Sequence, residues 1–298
     1  MSITPSNRRI KGVLCILCAA FGFALMNMFV KLSGDLPTFQ KAFFRNFIAL
    51  LVALALLKKE HVHYKFNKQE FWLLFLRSAF GTAGLLCNFY AVDHLVLADA
   101  NMLNKLSPFF AIIFSYFLLK EKVTPMQVFA VLVAFAGSLC IIKPSFDFTK
   151  AMPATIGLTG GIMAGAAYTF VRMLGQRGVP GPFIVAFFSA FSCLVTLPYL
   201  IFSHAPMSAY QLAMLLLAGV AASLGQFGIT AAYKFAPAKE ISVFDYSQVV
   251  FSAVLGFFVF QQVPDGWSVL GYVMIIAIAI VMAVYNNRQG QKQTEKGK

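Results

Sequence analysis

Runs of about twenty apolar residues recur ten times in this chain, and no other feature restricts its fold so tightly. They fall at approximately 12–33, 37–57, 71–92, 97–119, 124–142, 154–174, 182–203, 210–233, 239–260 and 266–285. A bilayer core is about 30 Å thick and offers no water to backbone groups, so runs of this length predict helices that satisfy their own N–H and C=O groups. With 59% hydrophobic and 12% charged residues and a mean hydropathy of +0.76, the composition excludes an ordinary water-soluble domain. The expected fold class is an all-α integral membrane protein with ten transmembrane helices.

The formal net charge of +13 does not point to nucleic acid, because the basic residues sit in short gaps between apolar runs and not on a polar folded surface. With the N-terminus in the cytoplasm, Arg8, Arg9, Lys11, Lys58, Lys59, Lys120, Lys122, Arg177, Lys234 and the basic tail all fall inside, while the outer loops hold little beyond Lys143 and Lys150. That asymmetry predicts a multi-pass protein of the plasma membrane with both termini cytoplasmic. The first apolar run is followed by further spans with no soluble region between them, so it reads as an uncleaved span and not a signal peptide. All five cysteines lie inside apolar runs, and the isolated Cys15/Cys18 pair has neither a second pair nor a nearby histidine, so packing is expected and no metal site or cofactor. His61 and His63, in a basic loop, are expected to face solvent.

An internal repeat organises the spans. KAFFRNF (41–47) pairs with VAFFSAF (185–191), and the ungapped segment 98–123 lies over 238–263, aligning Ser107 with Ser247 and Phe117 with Phe257. Each half then holds five spans, and an odd number makes the second half enter the membrane inverted relative to the first. The units expected are 12–142 and 154–285, followed by a polar cytoplasmic tail at 286–298 that reads as disordered.

Two five-helix halves, AFFR in span 2, Arg77 in span 3 and the stretch YAVDHLVLADANMLNKLSPFFAIIFSYFLLKE (90–121) resemble the drug/metabolite transporter superfamily, EamA type. The resemblance covers nearly the whole chain and implies a ten-helix carrier working by alternating access, its cavity lined mostly by spans 1, 3, 4, 6, 8 and 9. Gln248 and Gln261 stand in the second half where the first has Pro108 and Glu121, so those roles do not transfer. AFFR and Arg77 also resemble the branch that carries S-adenosylmethionine.

Polar residues at helical spacing select the same six spans independently. Span 4 carries Asn101, Asn104, Lys105 and Pro108; span 9 carries Ser242, Asp245, Gln248 and Ser252; span 8 has Ser223, Gln226, Thr230 and Tyr233; span 3 has Gly81, Gly84 and Asn88; span 1 has Asn27 and Lys31; span 6 has Tyr168 and Arg172. The substrate-binding candidates are Asn27, Asn88, Asn101, Asn104, Lys105, Tyr168, Gln226, Thr230, Asp245 and Gln248. Lys105 and Asp245 are equivalent in the repeat, each about 10 Å from its own membrane face. A charge at the bilayer centre costs about 3 kcal/mol by insertion scales, so an inward-facing pair is expected, either opened by a solute or purely structural.

Four further residues are assigned structural or gating roles. Arg45, about 12 Å deep in span 2, is either an anion contact at the cavity edge or an anchor; the sparse polarity of that face, which holds only Lys41 besides, favours the anchor. Arg77 is expected to snorkel to the interface or pair there. Pro108 removes a helix hydrogen bond and bends span 4. Glu121 closes the turn after span 4 or is simply solvated. Gly157, Gly161 and Gly165, at every fourth residue of span 6, read as helix packing.

The expected function is secondary transport of a small polar metabolite, an amino acid or amino-acid derivative, with S-adenosylmethionine among the candidates and with possible coupling to a proton or counter-solute. A membrane sensor or scaffold subunit is the alternative. An intramembrane enzyme ranks lower, since the histidines lie in loops or at span ends and no Gly-rich phosphate loop is present.

Overall fold

The structure, a computed structural model, describes residues 5–60, 64–119, 124–142, 148–235 and 242–296. It is helical throughout, with no strand among the described residues. The helices are α1 (Pro5–Leu32), α2 (Thr38–Lys59), α3 (Lys68–His94), α4 (Leu97–Asn104), α5 (Ser107–Leu119), α6 (Pro125–Ile142), α7 (Phe148–Gln176), α8 (Gly181–Ser203), α9 (Ala209–Phe235), a 3-10 turn (Ser242–Tyr246), α10 (Ser247–Phe260) and α11 (Gly266–Lys296). Among the described residues seven helices are long and apolar enough to cross a membrane: α1, α2, α3, α7, α8, α9 and α11. Shorter helices occupy the remaining apolar runs at 97–119, 124–142 and 239–260.

Local chemistry sets the boundaries. Asn67 and Glu70 cap α3 reciprocally, the Glu70 N–H donating to Asn67 Oδ1 and the Asn67 N–H to Glu70 Oε2, both at 2.9 Å. Pro37 and Pro180 precede α2 and α8 in extended conformations, as proline disfavours continuation of a preceding helix. Gln261 ends α10 in the left-handed region, φ 56°, where its N–H and that of Gln262 reach back to Phe257 and Gly256.

The helices pack in pairs, α1 on α9, α2 on α8, α3 on α7 and α6 on α11. Without a hydrophobic drive between helices in lipid, close approach carries the association, and the glycines show where it happens. A Cβ on Gly161 would lie 2.5 Å from the Leu103 carbonyl oxygen, and one on Gly165 2.6 Å from Phe110 Cβ. The packing reading of the α7 glycines is therefore correct: they seat this helix against α4 and α5. Many large apolar side chains also face outward, Phe202 being 85% exposed and Phe258 72%, a distribution that lipid stabilises and water does not.

Two expectations are corrected here. The tail does not leave helical structure at 285: α11 continues to Lys296, because its Gln-, Lys- and Glu-rich sequence contains good helix formers and no proline. Span 4 is not one bent helix but two, α4 and α5, separated at Lys105 and Leu106. Glu121, His61 and His63, and the side chains of Pro108, Thr230, Tyr233 and Ser242, lie outside the described residues.

Candidate functional site

The chain departs from regular α-helix at two places that the repeat alignment pairs. Pro108 has no N–H to offer the Asn104 carbonyl, and the Phe109 N–H bonds to Leu106 at 3.0 Å, so the Lys105 carbonyl is freed from the ladder. Tyr246 O–H donates to it at 3.2 Å. In the second half the 3-10 turn containing Asp245 gives way to α10 at Ser247, just as α5 begins at the aligned Ser107. Lys105 thus stands at a helix break, and Asp245 in the 3-10 turn that leads into α10.

Between these two places Lys105 Nζ meets Asp245 Oδ2 at 2.5 Å, with side chains only 9% and 19% exposed. The pair expected from the sequence is present. It forms one wall of a cavity of about 300 Å³. Phe23, Met26 and Asn27 of α1 contribute to the lining, with Arg45 of α2 and Arg77, Gly81, Gly84, Leu85 and Asn88 of α3. The far side is built from Ala164, Ala167, Tyr168 and Val171 of α7, Gly181, Ile184, Val185 and Phe188 of α8, and Gln226 and Ile229 of α9. Asn104, Lys105, Asp245 and Gln248 complete it from these two regions. The expected six spans are all represented, but α2 and α8 also line the cavity.

Behind the wall lies an amide layer. Asn27 Nδ2 donates to Asn101 Oδ1 at 2.7 Å, Gln248 Nε2 donates to the same oxygen at 2.5 Å, and Asn88 Nδ2 donates to Asn27 Oδ1 at 3.3 Å. Asn101 is fully buried and spends its own Nδ2 on the Leu97 carbonyl. It is therefore a strut that sets Asn27 and Gln248, and its expected place in the cavity surface is not observed. The other described candidates, Asn27, Asn88, Asn104, Lys105, Tyr168, Gln226, Asp245 and Gln248, do converge on the cavity.

Of the two arginines, Arg77 departs from expectation, while Arg45 faces inward as both of its readings require. Arg77 does not reach the interface: its guanidinium lies over the Phe188 ring, 4.0 Å from the centroid, while Nε and Nη1 are buried without hydrogen-bond partners. Gly81, one turn along α3, makes the room, since a Cβ there would fall 2.3 Å from Arg77 Nη1 and 3.0 Å from Phe188 Cε2. Arg45 is 3% exposed and points into the cavity. Its Nη1 donates to Asn46 Oδ1 at 2.7 Å and its Nε to Met26 Sδ at 3.5 Å, and Asn46 is itself fixed by donating to Ser192 Oγ at 2.9 Å.

One end of the bundle is latched by contacts that sequence reading missed. Gln40 exchanges two hydrogen bonds of 2.9 Å with the backbone of Ala205. Fully buried Lys41 pairs with Asp93 at 2.7 Å. Lys31, grouped with the cavity residues from sequence, instead donates to the carbonyls of Val92 and Leu95 at 2.8 and 2.6 Å and lies over Phe260. The only available sequence signal was the proximity of Lys31, Lys41 and Asp93 to loops predicted on one membrane face.

Comparison with known proteins comes to the same class. The EamA-like transporter family matches residues 10–143 and, a second time, residues 152–284. The pseudopaline exporter of Pseudomonas aeruginosa (strain UCBPP-PA14) is 34% identical over 91% of this chain and 95% of its own length. The riboflavin transporter of Vibrio cholerae is 27% identical over 95% of this chain and 96% of its own. A crystal structure 18% identical in sequence shares the fold with a TM-score of 0.65, covering 93% of this chain and 98% of that one.

Proposed function

The chain belongs to the EamA-like transporter family, and from that premise we propose that it is a secondary carrier of a small polar metabolite of amino-acid type, working by alternating access around the Lys105–Asp245 pair. It is a multi-pass membrane transporter and not an enzyme. The observation that carries the proposal is the ion pair itself, joining the break between α4 and α5 to the 3-10 turn before α10 on the wall of a cavity. An ammonium and a carboxylate side by side match a solute bearing both charges, and such a solute replaces each partner as it separates them.

Ten spans in two inverted halves, 12–142 and 154–285, are the architecture proposed. The two family matches support it, and so does the packing pattern. Exchanging each span with its counterpart in the other half turns α1 on α9 into α7 on α3, and leaves α2 on α8 and α6 on α11 unchanged. Basic loops favour a plasma-membrane location with both termini and the polar tail cytoplasmic. In that orientation the latched end is outer, and the cavity lining extends toward the cytoplasm at Gly181. Likeness to a protein named an exporter supports outward movement. Proton or counter-solute coupling is proposed to run through Asp245, the one carboxylate in the described lining.

The test is a thermal-shift screen of purified protein against amino acids and their derivatives, then liposome flux of each stabilising compound with and without a pH gradient. Stabilisation and flux by at least one such compound is expected. Stabilisation without flux would replace the carrier by a sensor or scaffold.

A further inference from the structure

The cavity is unbalanced in charge. Among the described lining residues Arg45, Arg77 and Lys105 are cationic and Asp245 alone is anionic, an excess of two positive charges once Lys105 and Asp245 are paired. Neither arginine has an ion-pair partner among the described residues: Arg45 meets an amide oxygen and a thioether, and Arg77 meets an aromatic face. Guanidinium remains ionised at any accessible pH. Neutral donors and rings orient such a group without cancelling its charge, and buried cations stay uncompensated until an anion arrives.

Resting on the carrier reading above, we infer that Arg45 and Arg77 form an anion subsite, and that the transported solute is an amino-acid derivative with a net charge near −2, bearing carboxylates beyond the α-carboxylate. The amine engages Asp245, a carboxylate engages Lys105, and the remaining carboxylates lie against the arginines. Both guanidinium groups are held ready. Asn46, braced by Ser192, fixes Arg45, and the slot between Gly81 and Phe188 fixes Arg77 with two N–H edges unspent. Planar donor forks of this kind accept carboxylates in pairs of parallel hydrogen bonds. The same imbalance selects against a cation such as S-adenosylmethionine.

The experiment is a charge series on the purified full chain: S-adenosylmethionine, glutamine, glutamate and γ-carboxyglutamate, whose net charges run from positive through zero to doubly negative. Thermal stabilisation is expected to rise along the series. Arg77→Gln is expected to flatten the rise, while Arg77→Lys, which keeps the charge and loses the fork, retains the order at lower amplitude. Arg45→Gln provides a second, independent readout of the same flattening. Stabilisation that is equal, reversed or absent across the series overturns the subsite, as does an unchanged rise in both glutamine variants. Flux of an uncharged or zwitterionic solute with no preference for anions leaves the carrier standing and removes only this inference.

Discussion

Asp245 sits opposite three cations, so neutralising it leaves Lys105 buried beside two uncompensated arginines. Removing one partner of a buried pair costs about 3–5 kcal/mol, and the partial exposure of both side chains to the cavity puts Asp245→Asn toward the lower end, at about 3 kcal/mol. The double variant Lys105→Gln with Asp245→Asn removes the orphaned charge and is expected to regain part of that loss in a thermal unfolding series. Equal losses in the single and double variants would show that the two groups are not coupled. Gly81→Ala is expected to displace the Arg77 guanidinium, because its Cβ has no room beside Nη1. Solute affinity should fall about tenfold, equivalent to about 1.4 kcal/mol, with little change in unfolding temperature, which ligand-dependent thermal shifts will separate. Lys105 and Asp245 were legible in the sequence because a charge inside an apolar run has few tolerable destinations. Arg77 was not, since position along a helix gives depth but not the direction of a long side chain, and the Gly81 slot that receives it exists only after α3 and α8 pack.

At the scale of elements, α7 is positioned by contact of its glycines with the backbone of α4 and α5. Gly161→Ala drives a Cβ toward the Leu103 carbonyl, a backbone atom that moves only if the helix does. Overpacking of this kind costs about 1–3 kcal/mol, and the expected result is a lower unfolding temperature and reduced flux. Gly175→Ala in the same helix, where a Cβ meets nothing within 4 Å, serves as the control and is expected to leave both unchanged. The helices were readable in order and type from length and apolarity, but α1 and α7 begin several residues before the apolar runs and α11 continues well past the last one. The division of span 4 was anticipated only as a bend. Proline accounts for the absent N–H, and the freed Lys105 carbonyl takes its hydrogen bond from the Tyr246 hydroxyl in a distant part of the chain, which no local pattern announces. The polar stripe of span 4 likewise grouped Asn101 with the cavity, whereas its burial against Asn27 and Gln248 makes it a strut.

For the whole molecule, alternating access requires that the latched end separate during each cycle. Cysteines placed at Gln40 and Ala205, joined by a short bifunctional thiol reagent, are expected to arrest flux, and cleavage of the reagent to restore it, with the treated wild type as control for the native cysteines. Full flux through the cross-linked protein would mean that this end does not open. The central claim is that solute passes by opening the Lys105–Asp245 pair, and its most direct test is flux of the selected solute into liposomes containing wild type, Lys105→Gln or Asp245→Asn at matched reconstitution. Wild type is predicted to transport and both variants to lose about tenfold or more, a loss equivalent to at least about 1.4 kcal/mol; undiminished flux in both variants would contradict the account.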